Sequence, residues 1–184
     1  LVGRLFALSF AEPCSWGLGG DPAMQVPETY DMSFRYASDE ADAPDRQLRV
    51  YRLFCGSGAY NLQHVYMAWD ADSGLRTVSF AQPSLDIRYK PDSDTDLDGI
   101  FVTGYAATQV LVNSGVDTAA QTISGQSCWR GICDASSAGI WVLDQGEFRL
   151  ERYLVDPTYD GEVNPISIVD AFASVGAGLV VTDA

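Results

Sequence analysis

Three aspartates alternate in a short acidic run, and their spacing is the feature of the chain most suggestive of metal chemistry. Asp94, Asp96 and Asp98 occupy every second position and Gly99 follows them, as in the first six positions of a calcium-binding loop. Alternate carboxylates around a sharp glycine turn converge on a hard cation. Position twelve of such a loop is Tyr105 here and not a bidentate glutamate. Calcium is therefore the predicted ion if distant ligands join, and a plain acidic turn between strands is the alternative.

A second acidic segment begins at Asp156 and ends at Glu162, with Asp160 and Glu162 on either side of Gly161. A glycine between carboxylates is typical of a sharp turn, and Asn164 beyond it is a candidate helix cap. If the two acidic segments met in space, they would form a cation site. A hydrolase would instead need two carboxylates that face each other in a cleft.

Nucleophilic chemistry is poorly supported by the residue types present. Ser136 and Ser137 are candidate nucleophiles, but a serine hydrolase needs a base and His64 is the only histidine. His64 also falls in a predicted strand. We therefore predict no catalytic residues. Residues 55–61 contain two glycines but lack the following helix and lysine of a phosphate-binding loop, so they are interpreted as a glycine bend.

The four cysteines are Cys14, Cys55, Cys128 and Cys133, and none belongs to a C-x-x-C pair that would suggest zinc. An even number of widely spaced cysteines is typical of two disulfides and of an oxidising compartment. Three pairings are open. The short spacing of Cys128 and Cys133 favours a bridge across a tight loop, which leaves Cys14 for Cys55. Four reduced cysteines in a cytosolic core are the alternative.

Trp129 and Arg130 lie at the tip of this presumed disulfide loop. Exposed tryptophan and arginine are frequent anchors of binding interfaces, so both are candidate ligand-binding residues. The alternative is that Trp129 packs on the sheet.

The charge balance limits the classes of partner. The chain has 25 acidic and 11 basic side chains and a net charge of −14. This charge repels phosphates, which argues against nucleic acid and anionic lipid as partners, while cations and basic proteins remain open. Solubility is the simplest reason for the acidity. No apolar run approaches the roughly 20 residues of a membrane span.

Apolar residues alternate with period two along most of the chain, and long stretches of helical period are missing. These signals predict an antiparallel β-sandwich or barrel with at most one or two short helices. The predicted strands are residues 5–10, 31–36, 48–55, 64–69, 75–80, 85–89, 100–103, 109–113, 120–124, 139–143 and 148–155.

Turn residues predict two hairpins, at residues 70–74 and 144–147. A short helix is predicted at residues 165–172, where Asn164 is the cap and Pro165 the first helical residue. We expect one domain over residues 1–173, followed by a tail or an added edge strand at 174–184. Residues 2–10 are too short and too interrupted for a signal-peptide core, so any leader would lie upstream.

Several sequence blocks together resemble a proteobacterial family of periplasmic or secreted proteins whose function is unknown. The shared pattern is a strand that ends in Cys55, then Gly58-Ala-Tyr-Asn61, with a later tryptophan and a Gly-x-Phe hairpin. The blocks are residues 51–61, 64–66, 75–81, 111–113, 129–131, 134–139, 146–148 and 155–165. The resemblance implies export and a compact β-rich fold, and it carries over no catalytic residue.

A second likeness is to small periplasmic lysozyme inhibitors. The run from Ser57 to Tyr60 is similar to the Ser-Gly-x-x-Tyr loop that these inhibitors insert into the enzyme's cleft, but it is one residue shorter. Ser57 and Tyr60 are therefore further candidate ligand-binding residues. An acidic protein opposite a basic lysozyme would be electrostatically complementary.

The sequence as a whole predicts an exported, monomeric binding protein of the periplasm or cell envelope that acts without catalysis on a protein or glycan partner. A lysozyme inhibitor, a carboxylate-based hydrolase and a calcium-stabilised structural module are the alternatives.

Overall fold

Strands dominate the computed structural model, which describes residues 1–93 and 95–171 and, within them, all side chains except that of Trp16. The predicted mainly β, antiparallel fold is confirmed. The strands are β1 (Glu28–Phe34), β2 (Arg46–Ser57), β3 (Leu62–Asp70), β4 (Gly74–Thr77), β5 (Phe80–Tyr89), β6 (Leu97–Thr108), β7 (Val110–Val112), β8 (Gly115–Asp117), β9 (Thr122–Cys128), β10 (Ser136–Asp144), β11 (Glu147–Asp156) and β12 (Ile166–Asp170).

The strands form three antiparallel sheets. The first sheet has the order β1-β2-β3-β4, and β7 also pairs with β3, beside residues 63–65. The second sheet has the order β12-β11-β10-β9-β8, and β5 and β6 form a separate long hairpin. The first and second sheets contribute to one hydrophobic core, so the architecture is that of a β-sandwich.

Period-two alternation decides which residues enter this core. Leu48 and Val50 of β2 and Tyr66 of β3 point between the sheets, where they meet Ile123 and Trp141 of the second sheet. Burial of such side chains contributes about 1.5–3 kcal/mol each relative to exposure. The core is therefore the main source of the energy that holds the two sheets together.

Trp141 joins the second sheet to the β5–β6 hairpin. Its ring is fully buried and lies edge-on to Phe80 with centroids 5.2 Å apart, and its Nε1–H donates to the carbonyl of Ala81 at 2.8 Å. A Cβ at Gly139 would lie 2.4 Å from this ring. Any side chain at that position would therefore clash with the indole ring, and glycine avoids this clash.

The outer face of the first sheet is covered by two short helices, α1 (Val2–Ser9) and α2 (Ser15–Gly19). Phe6 and Phe10 pack there against Leu53 and Met67. Cys14 is bonded to Cys55 of β2, and Cys128 to Cys133. The favoured disulfide pairing is thus confirmed, and two disulfides indicate an oxidising compartment.

The strand predicted at residues 5–10 is wrong, because this segment lies in and just after α1. Val2, Phe6 and Phe10 recur at the spacing of one helix face, and that face rests on the sheet. A six-residue apolar segment fits either period, and contact with the sheet selects the helix here. No helix among the described residues is long and apolar enough to cross a membrane.

The helix predicted at residues 165–172 is also wrong, because β12 pairs antiparallel with β11 over most of that segment. The β-branched Ile166 and Ile168 suit a strand. Asn164 caps no helix: its backbone N–H donates to Asp156 and its side chain donates to Glu162. Phe172 and the predicted tail or edge strand at 174–184 lie outside the described residues.

Both predicted hairpins are confirmed. Asp70 accepts hydrogen bonds from the backbone N–H groups of Asp72 and Ser73 in the β3–β4 turn. Gln145 and Gly146 both have positive φ in the two-residue β10–β11 turn, which matches the right-handed twist of the flanking strands. The short strand β8 and the length of β6 were not predicted.

Candidate functional site

The predicted contact residues lie together at one end of the sandwich. Ser57 ends β2 and is exposed, and the following turn brings Tyr60 next to the disulfide loop that carries Trp129. The Tyr60 hydroxyl lies 3.5 Å from the Trp129 carbonyl oxygen. A Cβ at Gly131 would lie 3.6 Å from the Tyr60 ring. The two segments that the sequence analysis selected separately are therefore in contact.

Asn61 holds these two segments together. Its side-chain amide donates to the Cys128 carbonyl at 2.9 Å, and its Oδ1 accepts from the Cys128 N–H at 3.2 Å. This reciprocal pair of bonds occupies both backbone groups of Cys128. The glycine-rich segment is thus a turn fixed to the disulfide loop, as the interpretation of a glycine bend predicted.

Arg130 is engaged within the protein. Its guanidinium pairs with Asp134, donating from Nε at 2.6 Å and also from Nη2, and it lies over the Tyr159 ring at 5.3 Å. Asp134 is buried and also accepts from the Gly161 N–H at 2.9 Å. Arg130 is the largest cause that holds the pKa of Asp134 far below its usual range. Trp129 is half-buried, with its ring 6.5 Å from that of Tyr159.

The second acidic segment builds its own loop. Asp156 is buried and accepts from Thr158 Oγ1 at 2.9 Å and from the Asn164 N–H. Asp160 accepts from the Glu162 N–H at 2.9 Å. These carboxylates thus serve turn geometry.

The predicted calcium ligands are only partly described. Asp94 lies outside the described residues. Asp96 and Asp98 are exposed, and the backbone N–H of Asp96 donates to Ser93 Oγ at 2.8 Å. Among the described residues, no group of three or more histidine, cysteine, aspartate or glutamate side chains is placed to hold a metal ion.

A cavity that the sequence analysis did not predict opens at the same end of the sandwich. Its volume is about 650 Å³, within the range of about 300–1,000 Å³ typical of small-molecule sites. The polar part of its wall consists of Glu28, Arg52, His64, Asn113 and Ser114. The apolar part of its wall consists of Ala23, Met24, Val26, Pro27, Phe54 and Leu62.

Strand alternation places the polar groups there. Arg52 and Phe54 continue the inward-facing series of Leu48 and Val50 along β2, and His64 precedes the inward-facing Tyr66 of β3. Along β2 and β3, the inward-facing side chains are thus apolar in the core and include polar groups where the strands reach the cavity. Ser114 reaches the same wall from the turn between β7 and β8.

A hydrogen-bonded chain joins three side chains of this wall. The Tyr66 hydroxyl donates to Ser114 Oγ at 2.7 Å, and Ser114 Oγ lies 3.1 Å from His64 Nδ1. Burial raises the pKa of Tyr66 to about 12, so its proton stays in place. Burial, followed by the charge of Arg52, lowers the pKa of His64 to about 4. His64 is therefore a neutral imidazole at neutral pH.

Arg52 provides the positive charge of the wall. Its Nη2 contacts both carboxylate oxygens of Glu28 at 2.7 Å, and its Nη1 donates to the Ser114 carbonyl. Tyr30 donates to the same carboxylate at 2.6 Å. These bonds lower the pKa of Glu28, with Arg52 as the largest cause. The buried Nε of Arg52 has no hydrogen-bond partner among the described residues.

The Ser114–His64 contact has the distance of a nucleophile and its base, but the electrostatics oppose that role. A base that takes the serine proton becomes an imidazolium ion. Burial and the neighbouring Arg52 disfavour that ion, and within the described residues no carboxylate bonds to His64 to stabilise it. Ser136 and Ser137, the serines considered from sequence, lie in β10 and bond to no histidine.

One sequence signal pointed to this cavity. In the sequence, Arg52 interrupts the apolar series of Val50 and Phe54, and the structure shows that this face of β2 points into the core. An inward-facing arginine needs a partner or a ligand. The contributions of Glu28 and Ser114 had no comparable signal, because they depend on which strands become neighbours.

The chain is thus a disulfide-linked β-sandwich with a partly polar cavity at one end. Comparison with protein-family models, with curated proteins and with solved structures gives no significant match in any of the three. The resemblances to a family of periplasmic or secreted proteins and to lysozyme inhibitors therefore stay predictions.

Proposed function

We propose that the protein is a non-catalytic binding protein of the periplasm or cell envelope that holds a small ligand in the cavity between β1, β2, β3 and the β7–β8 turn. The observation that carries the proposal is the cavity itself. It combines an apolar wall with the converging polar groups of Arg52, His64 and Ser114, which is the usual composition of a ligand site.

The compartment rests on the two disulfides. Such bonds persist in secreted and periplasmic proteins and are rare in the cytosol. The resemblance to exported proteins points the same way. Binding is favoured over hydrolysis because His64 is a weak base beside Arg52.

Nuclear magnetic resonance of His64 is the direct test, because the only histidine of the chain gives a single imidazole signal. Benzyl alcohol at low millimolar concentration is a neutral probe of the cavity. We expect it to shift the His64 imidazole and the Ser114 amide signals with a common saturation curve. The absence of a saturable shift at these two residues, both with benzyl alcohol and with its anionic analogue phenylacetate, would contradict the proposal.

Two tryptophan substitutions separate cavity binding from surface adsorption. Met24 lines the cavity and is 47% exposed, so Met24→Trp reduces the open volume. Leu8 lies on α1 and is 80% exposed, so Leu8→Trp adds the same side chain away from the cavity. We expect Met24→Trp alone to weaken the binding of benzyl alcohol.

The contact between Tyr60 and the Trp129 loop supports a second candidate, a surface that binds a protein or glycan partner. Tyr60 is 45% exposed and its ring lies on the disulfide loop. A lysozyme inhibitor would use this surface, and inhibition assays against several lysozymes test that version. Loss of inhibition in Tyr60→Ala would support it, while no inhibition by the unmodified protein would remove it.

A further inference from the structure

We propose that the ligand of the cavity is a small amphipathic carboxylate, whose anionic group lies at Arg52 and His64 and whose apolar body lies on Met24, Val26 and Leu62. This inference rests on the proposed function and specifies its ligand. It follows from the hydrogen-bonding character and the charges of the cavity wall.

The His64 side of the wall offers a donor. Since Tyr66 keeps its proton and donates it to Ser114, the Ser114 hydroxyl proton is directed to Nδ1 of His64. In a neutral imidazole the ring proton is then on Nε2. Nε2 has no protein partner among the described residues. It therefore presents an N–H group to an acceptor.

The Arg52 side offers donors and a positive charge. Among the described residues that line the cavity, Arg52 is the only cation and Glu28 the only anion. The Glu28 side chain is 52% exposed, whereas that of Arg52 is 18% exposed. Glu28 is thus a counterion at the mouth of the cavity, and a ligand carboxylate can share Arg52 with it or replace it.

The acceptors of the wall are already in use. The Glu28 carboxylate accepts from Arg52 and Tyr30, and the Oδ1 of Asn113 accepts from the Leu62 N–H at 2.8 Å. An amine in the cavity would therefore compete with Arg52 for Glu28 and would lie beside a like charge. The wall selects for acceptors and against cations, although the chain as a whole carries a charge of −14.

The apolar wall of the cavity indicates that the part of the ligand beyond its carboxylate group is apolar. Met24 and Val26, from the segment before β1, and Leu62, at the start of β3, are all partly exposed. Contact with a ring or short chain would remove this apolar surface from water. Phenylacetate has both parts in one molecule and is a suitable probe.

Three probes of the same shape test the charge of the ligand. Phenylacetate, phenylacetamide and phenethylamine differ in carrying a negative, zero or positive charge, and the His64 imidazole signal reports binding. We expect phenylacetate to bind about tenfold more tightly than the amide, because charge-assisted hydrogen bonds are roughly twice as strong as neutral ones. We expect no saturable shift with the amine. The general negative charge of the protein would favour the opposite order.

The outcomes separate this inference from the proposed function. If benzyl alcohol binds but phenylacetate binds no more tightly than phenylacetamide, the cavity is a ligand site and the carboxylate inference is wrong. If neither benzyl alcohol nor phenylacetate binds, both are wrong.

Two substitutions on β1 provide a matched test of the Glu28 counterion. Glu28→Gln and Asp31→Asn each remove one negative charge, but Asp31 pairs with Arg49 on the exposed face and does not line the cavity. We expect Glu28→Gln to tighten phenylacetate binding several-fold, because the competing carboxylate is lost, and Asp31→Asn to leave it nearly unchanged. Equal effects of the two variants would overturn the inference, since they would reflect only the net charge.

Discussion

The side-chain amides of Asn61 and Asn113 meet at the end of the sandwich, with Nδ2 of Asn113 3.0 Å from Oδ1 of Asn61. Asn113 also exchanges hydrogen bonds with the backbone of Leu62, and Asn61 exchanges them with the backbone of Cys128. Leu62 and Asn113 line the cavity. The amide pair therefore links the rim of the cavity to the disulfide loop that carries Trp129.

Substitution of Asn61 tests this link. Asn61→Ala removes the side-chain partner of the N–H and of the carbonyl of Cys128 and one of the two acceptors of the Asn113 amide, which keeps the Tyr60 carbonyl, so we expect a loss of about 2–3 kcal/mol in the free energy of unfolding. Asn164→Ala is the control, because its side chain makes one exposed hydrogen bond, to Glu162. We expect that change to stay within about 0.5 kcal/mol. Urea unfolding measures both, and equal losses would contradict the structural role of Asn61.

The pKa of His64 predicts a pH dependence of stability. Its value in the folded protein is about 4, against 6.5 for an ordinary histidine, so between these values the unfolded chain binds a proton that the folded chain does not. Stability is then complete above pH 6.5 and is lost as the pH falls toward 4, by up to about 3 kcal/mol, since each pKa unit is worth about 1.4 kcal/mol. Imidazole titration by nuclear magnetic resonance measures the pKa directly.

The variant His64→Gln separates the pH dependence caused by His64 from the pH dependence caused by the carboxylates. The lowered pKa values of Glu28 and Asp70 produce a further loss of stability at still lower pH, and that loss is present in both proteins. We expect the difference in unfolding free energy between the two proteins to change between pH 6.5 and 4. A constant difference, or a titration near the ordinary value, would show that His64 is not held neutral.

Gly17 and Gly19 lie in the same short helix, α2, but we expect alanine at these two positions to have opposite effects on the stability of the protein. A Cβ at Gly17 would lie 2.5 Å from the Phe54 carbonyl oxygen, while a Cβ at Gly19 would meet nothing within 4 Å. We expect Gly17→Ala to destabilise the protein by about 1–3 kcal/mol, because backbone of β2 must shift. Gly19→Ala should be neutral or slightly stabilising. Thermal melts of the two variants measure this difference. An unchanged melting temperature in Gly17→Ala would contradict the close approach of α2 to β2.

The two disulfides are expected to contribute unequally. Cys14 and Cys55 are 41 residues apart, and Cys128 and Cys133 are 5 apart. The chain-entropy relation gives about 4 kcal/mol for the longer loop and about 2 kcal/mol for the shorter. Double Cys→Ala variants of each pair, compared by urea unfolding, check this order. The reverse order would indicate that packing around Cys128 outweighs the constraint on the unfolded chain.

The strands with strict alternation and clear turn residues were predictable from the sequence. The β10–β11 hairpin is an example, since its turn at Gln145 and Gly146 needs positive φ and its flanks alternate. Residues 5–10 and 165–172 were assigned wrongly because each is short and its period ambiguous. In both cases a contact distant in sequence, with the first sheet or with β11, decides the structure.

The cavity was less predictable than the fold. Glu28, Arg52, His64 and Ser114 come from four separate elements, and only strand order makes them neighbours. His64 drew attention as the only histidine, but its serine partner could not be chosen from the sequence. Arg52 is visible in the sequence as a charged residue among apolar ones on one face of β2, but Leu53 and Cys55 on the opposite face are also buried, so strand alternation alone does not show which face enters the core.

The disulfides join cysteines that are consecutive along the chain, the first with the second and the third with the fourth. A chain that enters an oxidising compartment N-terminus first presents Cys14 and Cys55 before Cys128 has emerged. Oxidation in order of arrival therefore produces the native pairing, and no exchange of partners is required. We therefore expect a thiol oxidase without a disulfide isomerase to be sufficient for the oxidative folding of this protein.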